Sequence, residues 1–215
     1  MKKVILFQGD SITDSQRNRD NDYYAGAGYA TMVTGALGAA EPYQYTFYNR
    51  GISGNRVVDL YARIRADMIN LKPDYISILI GINDVWHERA AGNGVAAPKF
   101  EMVYNLLVEE LKQELPGVKI MLLEPFVLPG SATKNTEENP DAWEYFQKET
   151  ALRAEATRRV AEKQNVLFVP LQELFDKANA DAPADGYWLH DGVHPTAAGH
   201  TLIQQAWLKA FEEIR

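Results

Sequence analysis

Residues 4–13, VILFQGDSIT, decide the fold, because an apolar run there gives way at once to a polar turn. Residues 4–7 predict a strand, since short continuous apolar runs are typical of strands in a covered sheet. Asp10 and Ser11 follow, and both residue types favour the start of a helix. A strand that passes directly into a helix is the repeating unit of α/β proteins, so we expect the same alternation outward along the chain.

The alternation recurs through the rest of the sequence. Further strands are predicted at residues 45–48, 75–80, 119–123 and 166–169. Apolar residues three and four positions apart predict helices within residues 57–68, 102–111, 142–163 and 202–211. We expect these stripes to be buried. The second comprises Met102, Val103, Leu106, Leu107 and Leu111, and the third includes Leu152 and Val160. Five strands separated by helices predict the α/β class, with layers around a parallel sheet.

The bulk composition limits the classes of protein that the chain can be. Its 215 residues suffice for one well-buried core, and we predict a single domain over residues 1–215. The net charge of −7 repels phosphate and anionic lipid, so we expect no nucleic-acid and no membrane partner. The sequence has no cysteine, which excludes disulfides and a thiol nucleophile. The N-terminal apolar run is too short for a secretory signal, and we predict a cytoplasmic protein.

Four polar or glycine-rich clusters lie where predicted strands end or where the last helix begins. They are residues 8–11, 49–55, 81–84 and 191–195, which read QGDS, NRGISGN, GIND and DGVHP. Ligands of open α/β sheets bind beyond the carboxyl ends of the strands, so these clusters are expected to meet there. The irregular segment 124–141 is rich in Pro, Gly, Ser, Thr and Asn, and predicts a surface loop or lid.

A serine nucleophile is the first candidate for chemistry at this edge. Ser11 alone is a weak nucleophile and needs an adjacent base. His194 is suited to that role, because Asp191 precedes it by three residues on one tight turn. The carboxylate can then hold one ring nitrogen and leave the other to face Ser11. The alternative is that Asp10 and Ser11 cap a helix and that His194 is a solvated turn residue.

Three hydrogen-bond donors are candidates for an oxyanion hole. They are the backbone N–H groups of Ser11 and Gly54 and the side-chain amide of Asn83, each near the end of a different predicted strand. Donors aimed at a developing oxyanion contribute strongly to acyl transfer. The alternatives are that Gly54 serves only turn geometry and that Asn83 is a loop-bridging amide.

The other histidines offer competing interpretations. His200 falls inside the last predicted helix and is expected to be structural. His87 falls in a predicted loop and is a candidate for contact with substrate. His190 and His194 are spaced as a metal-binding pair, but a catalytic metal normally needs three protein ligands and no third one is evident, so we predict no metal site.

Aromatic residues near the predicted edge are candidates for substrate contact. Trp86 and His87 follow the GIND cluster, and Tyr187, Trp188 and His190 precede Asp191. Phe126 and Trp143 also fall near this edge, with packing favoured for Trp143. Aromatic walls suit sugar rings and equally suit cores, so contact and packing stay open for Trp86. Asp10 is a further candidate because it neighbours Ser11.

The four clusters, in this order, resemble the SGNH (GDSL-type) hydrolases. Gly9-Asp10-Ser11 matches the nucleophile block, and residues 49–54 and 81–84 match the two blocks that supply oxyanion donors. Residues 191–194 match the Asp-x-x-His block. The wording around the first three blocks is similar to the branch of intracellular acetyl-xylooligosaccharide esterases. Two positions depart from the pattern, namely Ile12, where leucine is expected, and His190, where tryptophan is more usual.

The resemblance implies a three-layer α/β/α sandwich with a five-stranded parallel sheet (SGNH/flavodoxin-like). It implies a cofactor-free and metal-free serine esterase that removes acetyl groups from short acetylated sugars, with xylo-oligosaccharides first. Relatives in this branch form oligomers, which implies a homo-oligomer here. A short-chain lipolytic esterase or thioesterase would use the same residues. A carbohydrate-binding relic and, more distantly, a metal-dependent phosphoesterase are the alternatives of other classes.

Overall fold

The computed structural model describes residues 2–215 and is organised around one sheet. Its strands are β1 (Lys3–Gly9), β2 (Tyr45–Asn49), β3 (Tyr75–Leu79), β4 (Lys119–Leu123) and β5 (Leu167–Val169). All neighbouring strands are parallel, in the order β2-β1-β3-β4-β5. The strand order reverses at β1. The chain passes from β1 to β2 on one side and then crosses to β3 on the other side of β1. A crevice beyond the carboxyl end of β1 is therefore the expected ligand site.

Helices cover both faces of the sheet. They are α1 (Ser11–Asp14), α2 (Tyr29–Ala40), α3 (Val57–Ala62), α4 (Ile64–Asp67), α5 (Ile82–Ala91), α6 (Ala97–Glu114), α7 (Ala142–Gln164), α8 (Gln172–Asp181) and α9 (Ala197–Phe211), with a 3-10 turn at Ile69–Leu71. The predicted three-layer α/β/α sandwich is confirmed. Within residues 2–215, the helices include none with the length and apolar character that a membrane span requires.

Two apolar cores result from the alternation of side chains along the strands. Ile5 and Phe7 of β1 face one side of the sheet, where Phe7 packs against Trp207 of α9 with ring centroids 5.4 Å apart. Leu6 faces the other side, in a core that also holds Leu107 of α6. Burial on both faces explains why the strands are continuously apolar in sequence.

The predicted helix over residues 57–68 is broken into α3 and α4, and the 3-10 turn follows it. Arg63 lies at the first break, with φ −114° and ψ 16°. Its guanidinium donates to the Arg50 carbonyl at 2.8 Å and to Gln8 Oε1 at 2.7 Å. The apolar periodicity reports only the buried face, so it could not show that this arginine bonds to backbone and side chains outside its own helix.

Three predicted core positions are exposed instead. Met102 and Leu106 of α6 are 57% and 44% exposed, and Leu152 of α7 is 42% exposed. The face of α6 that packs on the sheet is shifted from the predicted one. It keeps Leu107 and Leu111 and adds Phe100, Tyr104 and Val108. Both stripes have helical spacing, so periodicity alone could not choose between them.

The segment 124–141 lacks helix and strand, as predicted, but much of it is not a surface loop. Phe126 is buried and stacks on Phe175 of α8, with ring centroids 4.3 Å apart. Thr133 is also buried, and its hydroxyl donates to the Leu128 carbonyl at 2.7 Å. The segment is therefore anchored against the body of the protein.

Candidate active site

The turn between β1 and α1 presents Ser11 at the carboxyl edge of the sheet. Gly9 has φ +159° and leaves no room for a side chain, because a Cβ there would lie 2.3 Å from the Leu79 carbonyl oxygen. Asp10 is the N-cap of α1, and its Oδ1 accepts from the Ile12 N–H at 3.0 Å. Ser11 follows as the first helical residue, so its N–H has no partner within the helix. The tight turn thus directs both the hydroxyl and the amide outward.

Ser11, His194 and Asp191 form a continuous hydrogen-bonded chain. The Ser11 hydroxyl lies 2.9 Å from His194 Nε2, although 183 positions separate the two residues. His194 Nδ1 lies 2.7 Å from Asp191 Oδ2. Asp191 Oδ1 in turn accepts from the backbone N–H groups of Val193 at 2.9 Å and His194 at 2.8 Å. The carboxylate therefore fixes both the ring and the turn that carries it.

The turn over residues 189–195 is held from outside by the segment 124–141. Gly192 has φ +99°, and a Cβ there would lie 2.2 Å from Thr133 Oγ1. The Leu128 N–H donates to the Gly192 carbonyl and the Ala132 N–H donates to the Asp191 carbonyl, both at 2.9 Å. These contacts keep the histidine and its carboxylate in place before any ligand binds.

The charges of the histidine and the carboxylate stabilise each other. Burial alone would raise the pKa of Asp191, but hydrogen bonds from His194 and Val193 outweigh it and hold the pKa well below its usual value. The hydrogen bond to Asp191 raises the pKa of His194, and burial opposes it in part. An imidazolium formed by proton transfer from Ser11 is therefore stabilised where it forms.

Asp10 places a second carboxyl group beneath the same histidine. Burial raises its pKa to about 7, and its charge in turn raises the pKa of His194. The side chain is 1% exposed, and its Oδ2 has no hydrogen-bond partner within residues 2–215. The substrate contact predicted for Asp10 does not fit this burial, because the carboxyl group points into the protein and caps α1.

The side-chain amide of Asn49, at the end of β2, holds the following loop against α1. Asn49 donates through Nδ2 to the carbonyls of Thr13 at 2.6 Å and Ala25 at 2.7 Å. Its Oδ1 accepts from the Gly51 N–H at 2.9 Å. Gly54 then has φ +83°, and the nearest atom to a Cβ built on it is His87 Cε1 at 4.0 Å. Its backbone is thus open on the side that faces His87.

Asn83 lies in the first turn of α5, directly beyond β3. Its side chain is 8% exposed, and Nδ2 donates to the Asn55 carbonyl at 3.2 Å. This bond joins the loop after β3 to the residue that follows Gly54. The three predicted oxyanion donors therefore come from the ends of β1, β2 and β3, which are adjacent strands. The bond to Asn55 also confirms that Asn83 bridges two loops, which is the alternative role that the sequence left open.

The residues predicted to contact substrate lie at different distances from the hydrogen-bonded chain of Ser11, His194 and Asp191. Trp86 packs beside His194 with ring centroids 6.1 Å apart, and also against Phe146 at 5.8 Å. His87 lies on α5, not in a loop, and is half-buried next to Gly54. The missed helix has only Ile82 and Val85 as buried apolar residues, so its sequence lacks the stripe that would have revealed it.

The remaining candidates for substrate contact are Tyr187, Trp188 and His190, which lie just before Asp191 in the sequence. Tyr187 and Trp188 pack edge to face with centroids 4.8 Å apart, and Tyr187 is 53% exposed. The His190 ring lies almost parallel to that of His194, with centroids 5.6 Å apart and planes at 16°. His190 is therefore the one of these three residues whose ring packs on the His194 ring.

A possible cation-binding cluster exists in the same turn. One ligand atom each of His190, Asp191 and His194 lies within 4.8 Å of the others. The sequence-based prediction that a third ligand is lacking is therefore wrong, because Asp191 is a third candidate ligand. The signal in the sequence was the position of Asp191 between the two histidines, because its carboxylate can be a metal ligand as well as a partner of His194.

Sequence reasoning also missed residues that support the site from below. Asp84 follows Asn83, is fully buried, and accepts from the Val57 N–H through both oxygens at 3.2 Å. Burial raises its pKa well above the usual value. Asn49 is a polar residue at the end of an apolar strand, and that contrast was the available signal for its role.

Acyl-transfer enzymes use a nucleophile, a base and an orienting carboxylate in this arrangement. Residues 7–202 match the sequence profile of the GDSL-like lipase/acylhydrolase family. The chain belongs to this family and is a carboxylic ester hydrolase.

Individual relatives are similar over nearly their whole length. The acetylxylan esterase of Geobacillus stearothermophilus is 36% identical, over 98% of this chain and 95% of that protein. A crystal structure of that esterase has a TM-score of 0.82 and 34% identity, over 97% and 93% of the two chains. A GDSL-like lipase from Parabacteroides merdae has a TM-score of 0.89 and 38% identity, over 99% and 97%.

Proposed function

We propose that the protein is a serine esterase that removes acetyl groups from short acetylated sugars, with acetylated xylo-oligosaccharides as the first candidates. The observation that carries the proposal is the chain of short contacts from the Ser11 hydroxyl through the His194 ring to the Asp191 carboxylate, at 2.9 and 2.7 Å. A hydroxyl in this setting can lose its proton as it attacks a carbonyl carbon.

In the first half of the reaction, His194 Nε2 accepts the Ser11 proton while Oγ bonds to the acetyl carbon. The carbonyl oxygen becomes an oxyanion, which the N–H groups of Ser11 and Gly54 and the Asn83 amide stabilise. His194 then gives the proton to the departing sugar oxygen, and the acetyl group stays on Ser11. Asp191 remains ionised throughout and holds the imidazolium.

In the second half, water replaces the sugar as the partner of His194. The ring takes a proton from the water as its oxygen attacks the acetyl-enzyme, and the same donors hold the second oxyanion. Collapse of the intermediate releases acetate and returns the proton to Ser11. These steps use only side chains and backbone amides, so the proposal includes no cofactor.

The substrate class is supported by the surroundings of Trp86. A cavity of about 250 Å³ lies beside it, and its polar lining residues include Arg89, Thr136 and Asn139. An aromatic wall with polar groups at its edge suits a sugar ring and its hydroxyls. We propose that Trp86 and His87 contact the leaving group, with Tyr187, Trp188 and His190 at its outer edge. The similarity to an acetylxylan esterase supports the same class.

Acetate release from a substrate panel tests the proposal. Peracetylated xylo-oligosaccharides are compared with other acetylated sugars, p-nitrophenyl acetate and p-nitrophenyl octanoate. We expect turnover of acetylated sugars and a preference for acetate over octanoate. A preference for octanoate would instead support a lipolytic esterase. Ser11→Ala should abolish turnover with an unchanged melting temperature, and wild-type turnover in that variant would refute the mechanism.

Covalent labelling separates an active enzyme from a carbohydrate-binding relic. A serine-reactive organophosphate should add once to the wild-type protein, with the adduct on Ser11 by peptide mass spectrometry. The Ser11→Ala variant is the matched control and should remain unlabelled. An unlabelled wild-type protein would support the relic.

The proposal also covers the setting in which the enzyme works. We propose one hydrolase domain over residues 1–215 that acts in the cytoplasm as a homo-oligomer, without nucleic-acid or membrane partners. The lack of cysteine suits a reducing compartment, and the net charge of −7 disfavours anionic partners. The exposed side chains of Met102, Leu106 and Leu152 suit a contact between subunits. Light scattering on the purified protein measures the oligomer size.

A further inference from the structure

We propose that His190, Asp191 and His194 form a binding site for a divalent transition-metal ion such as Zn²⁺, and that the bound ion inhibits the enzyme. The site would be inhibitory because two of its ligands belong to the proposed catalytic chain. The binding half of this inference stands on geometry alone, whereas the inhibition rests on the proposed function.

The donor atoms have the spacing that a zinc ion needs after small movements. Asp191 Oδ2 lies 2.7 Å from His194 Nδ1 and 4.0 Å from His190 Nδ1. Two ligands about 2.0–2.1 Å from a tetrahedral zinc ion are about 3.3 Å apart, which is between these two distances. The first pair must therefore open by about 0.6 Å and the second close by about 0.7 Å.

Backbone contacts hold the two histidines on the same side of the turn. The His190 N–H donates to the His194 carbonyl at 2.9 Å, and residues Leu189 and Pro195 form an antiparallel bridge next to it. The rings consequently lie stacked and nearly parallel, with planes at 16°. The His190 side chain is 61% exposed, so it is free to turn toward an ion and solvent can supply the fourth ligand.

The ligand types favour zinc over the hard cations. Two imidazoles and one carboxylate form a borderline set that suits Zn²⁺, whereas Mg²⁺ and Ca²⁺ prefer oxygen ligands. On binding, zinc takes the lone pair of His194 Nδ1, and the single ring proton moves through solvent from Nδ1 to Nε2. Nε2 then already carries a proton and has no lone pair to accept one from Ser11. Proton transfer from Ser11 is then suppressed.

Calorimetric titration with Zn²⁺ tests binding without reference to activity. The Ser11→Ala variant should bind one ion with the same affinity as the wild-type protein, because Ser11 is not a ligand. His190→Gln should weaken binding by at least about tenfold, since even an outer-sphere partner of a ligating histidine typically contributes that much. His87→Gln is the matched control, because it removes a half-buried histidine outside the cluster and should leave the affinity unchanged.

Inhibition is measured with p-nitrophenyl acetate in a non-chelating buffer. The rate of each variant is expressed relative to its own metal-free rate, so that any effect of His190 on substrate does not enter. Zn²⁺ should inhibit the wild-type enzyme at the concentrations that saturate the calorimetric site, and EDTA should restore the rate. The inhibition constant should rise at least about tenfold in His190→Gln, in parallel with binding.

The outcomes distinguish failure of this inference from failure of the proposed function. Absence of zinc binding, or equal affinity in His190→Gln and the wild-type protein, would overturn the metal site whatever the esterase activity. Saturating zinc that leaves the turnover unchanged would overturn the inhibition. A protein that binds zinc through His190 but hydrolyses no ester would retain the site and refute the proposed function.

Discussion

Two histidines six positions apart, His194 in the turn and His200 in α9, are in opposite electrostatic environments. His194 is partly exposed, and its Nδ1 faces the Asp191 carboxylate at 2.7 Å, which raises its pKa. His200 is 6% exposed, and its Nδ1 accepts from the Tyr29 N–H at 3.1 Å. Burial, together with a smaller effect of the charge of His194, lowers the pKa of His200 to about 4.

The difference shows that the partner of Nδ1 determines what a histidine can do. A carboxylate stabilises the charged ring, so His194 is prepared to accept a proton. A backbone N–H requires an unprotonated Nδ1, so His200 is kept neutral and joins α9 to the start of α2. The four predictions that follow test this contrast, from the largest expected effect to the smallest.

Replacing each histidine should separate the two roles most strongly. His194→Ala should lower kcat on p-nitrophenyl acetate by about 10⁶-fold, because base and nucleophile act as a unit. His200→Asn keeps an acceptor near the Nδ1 position and should retain most of the wild-type rate. Steady-state kinetics of both variants, with circular dichroism to verify folding, checks this contrast. Similar losses in the two variants would mean that His194 has no special role.

Removing the charge that distinguishes the two sites tests its cause. Asp191→Asn should reduce kcat by about 10⁴-fold, because a neutral amide neither fixes the required tautomer nor stabilises the imidazolium. Kinetics at pH 7 measure the loss. A reduction of only a few-fold would show that the position of His194, and not its charged partner, matters.

The oxyanion donors should contribute less than the triad candidates. Asn83→Ala should reduce kcat by about 10²- to 10³-fold with little change in KM, because the amide binds charge that develops only in the transition state. Asn70→Ala is a suitable control, since that exposed residue precedes β3 at the opposite edge of the sheet. An effect on KM alone would assign Asn83 to substrate binding.

The smallest effect concerns stability, and it arises from His200. Its folded-state pKa of about 4 is below the ordinary value of 6.5, so the unfolded chain takes up this proton first as pH falls. The stabilisation is complete above pH 6.5 and is lost toward pH 4, with a total of up to about 3 kcal/mol. Urea unfolding between pH 7 and 4 measures it. His200→Asn should have a smaller pH dependence, and an equal dependence would contradict the assignment.

The sequence predicts the features that depend on local pattern. The strand bounds agree to within two residues at every end, because apolar runs and flanking breakers mark them directly. The four clusters meet as expected, since parallel strands bring their carboxyl ends to one edge. Strand ends account for the first three clusters only. The fourth, residues 191–195, lies before α9, and its approach to Ser11 is a tertiary contact.

Features that depend on packing were not accessible to the same reasoning. The predicted face of α6 is correct for Leu107 and Leu111 but wrong for Met102 and Leu106, because two overlapping stripes share one period. Helix α5 has no predicted counterpart, because only two of its apolar residues are buried. The inward carboxyl group of Asp10 depends on the φ and ψ angles of one cap. The anchoring of the turn by Thr133 and Gly192 is a tertiary contact that no local pattern reports.

The separation of 183 positions between Ser11 and His194 has a consequence for biosynthesis. Ser11 leaves the ribosome long before His194, so a nascent or truncated chain that stops before residue 194 lacks the base that the proposed mechanism requires. The proposed activity therefore begins only once residue 194 has been made and its turn has folded back on the first strand.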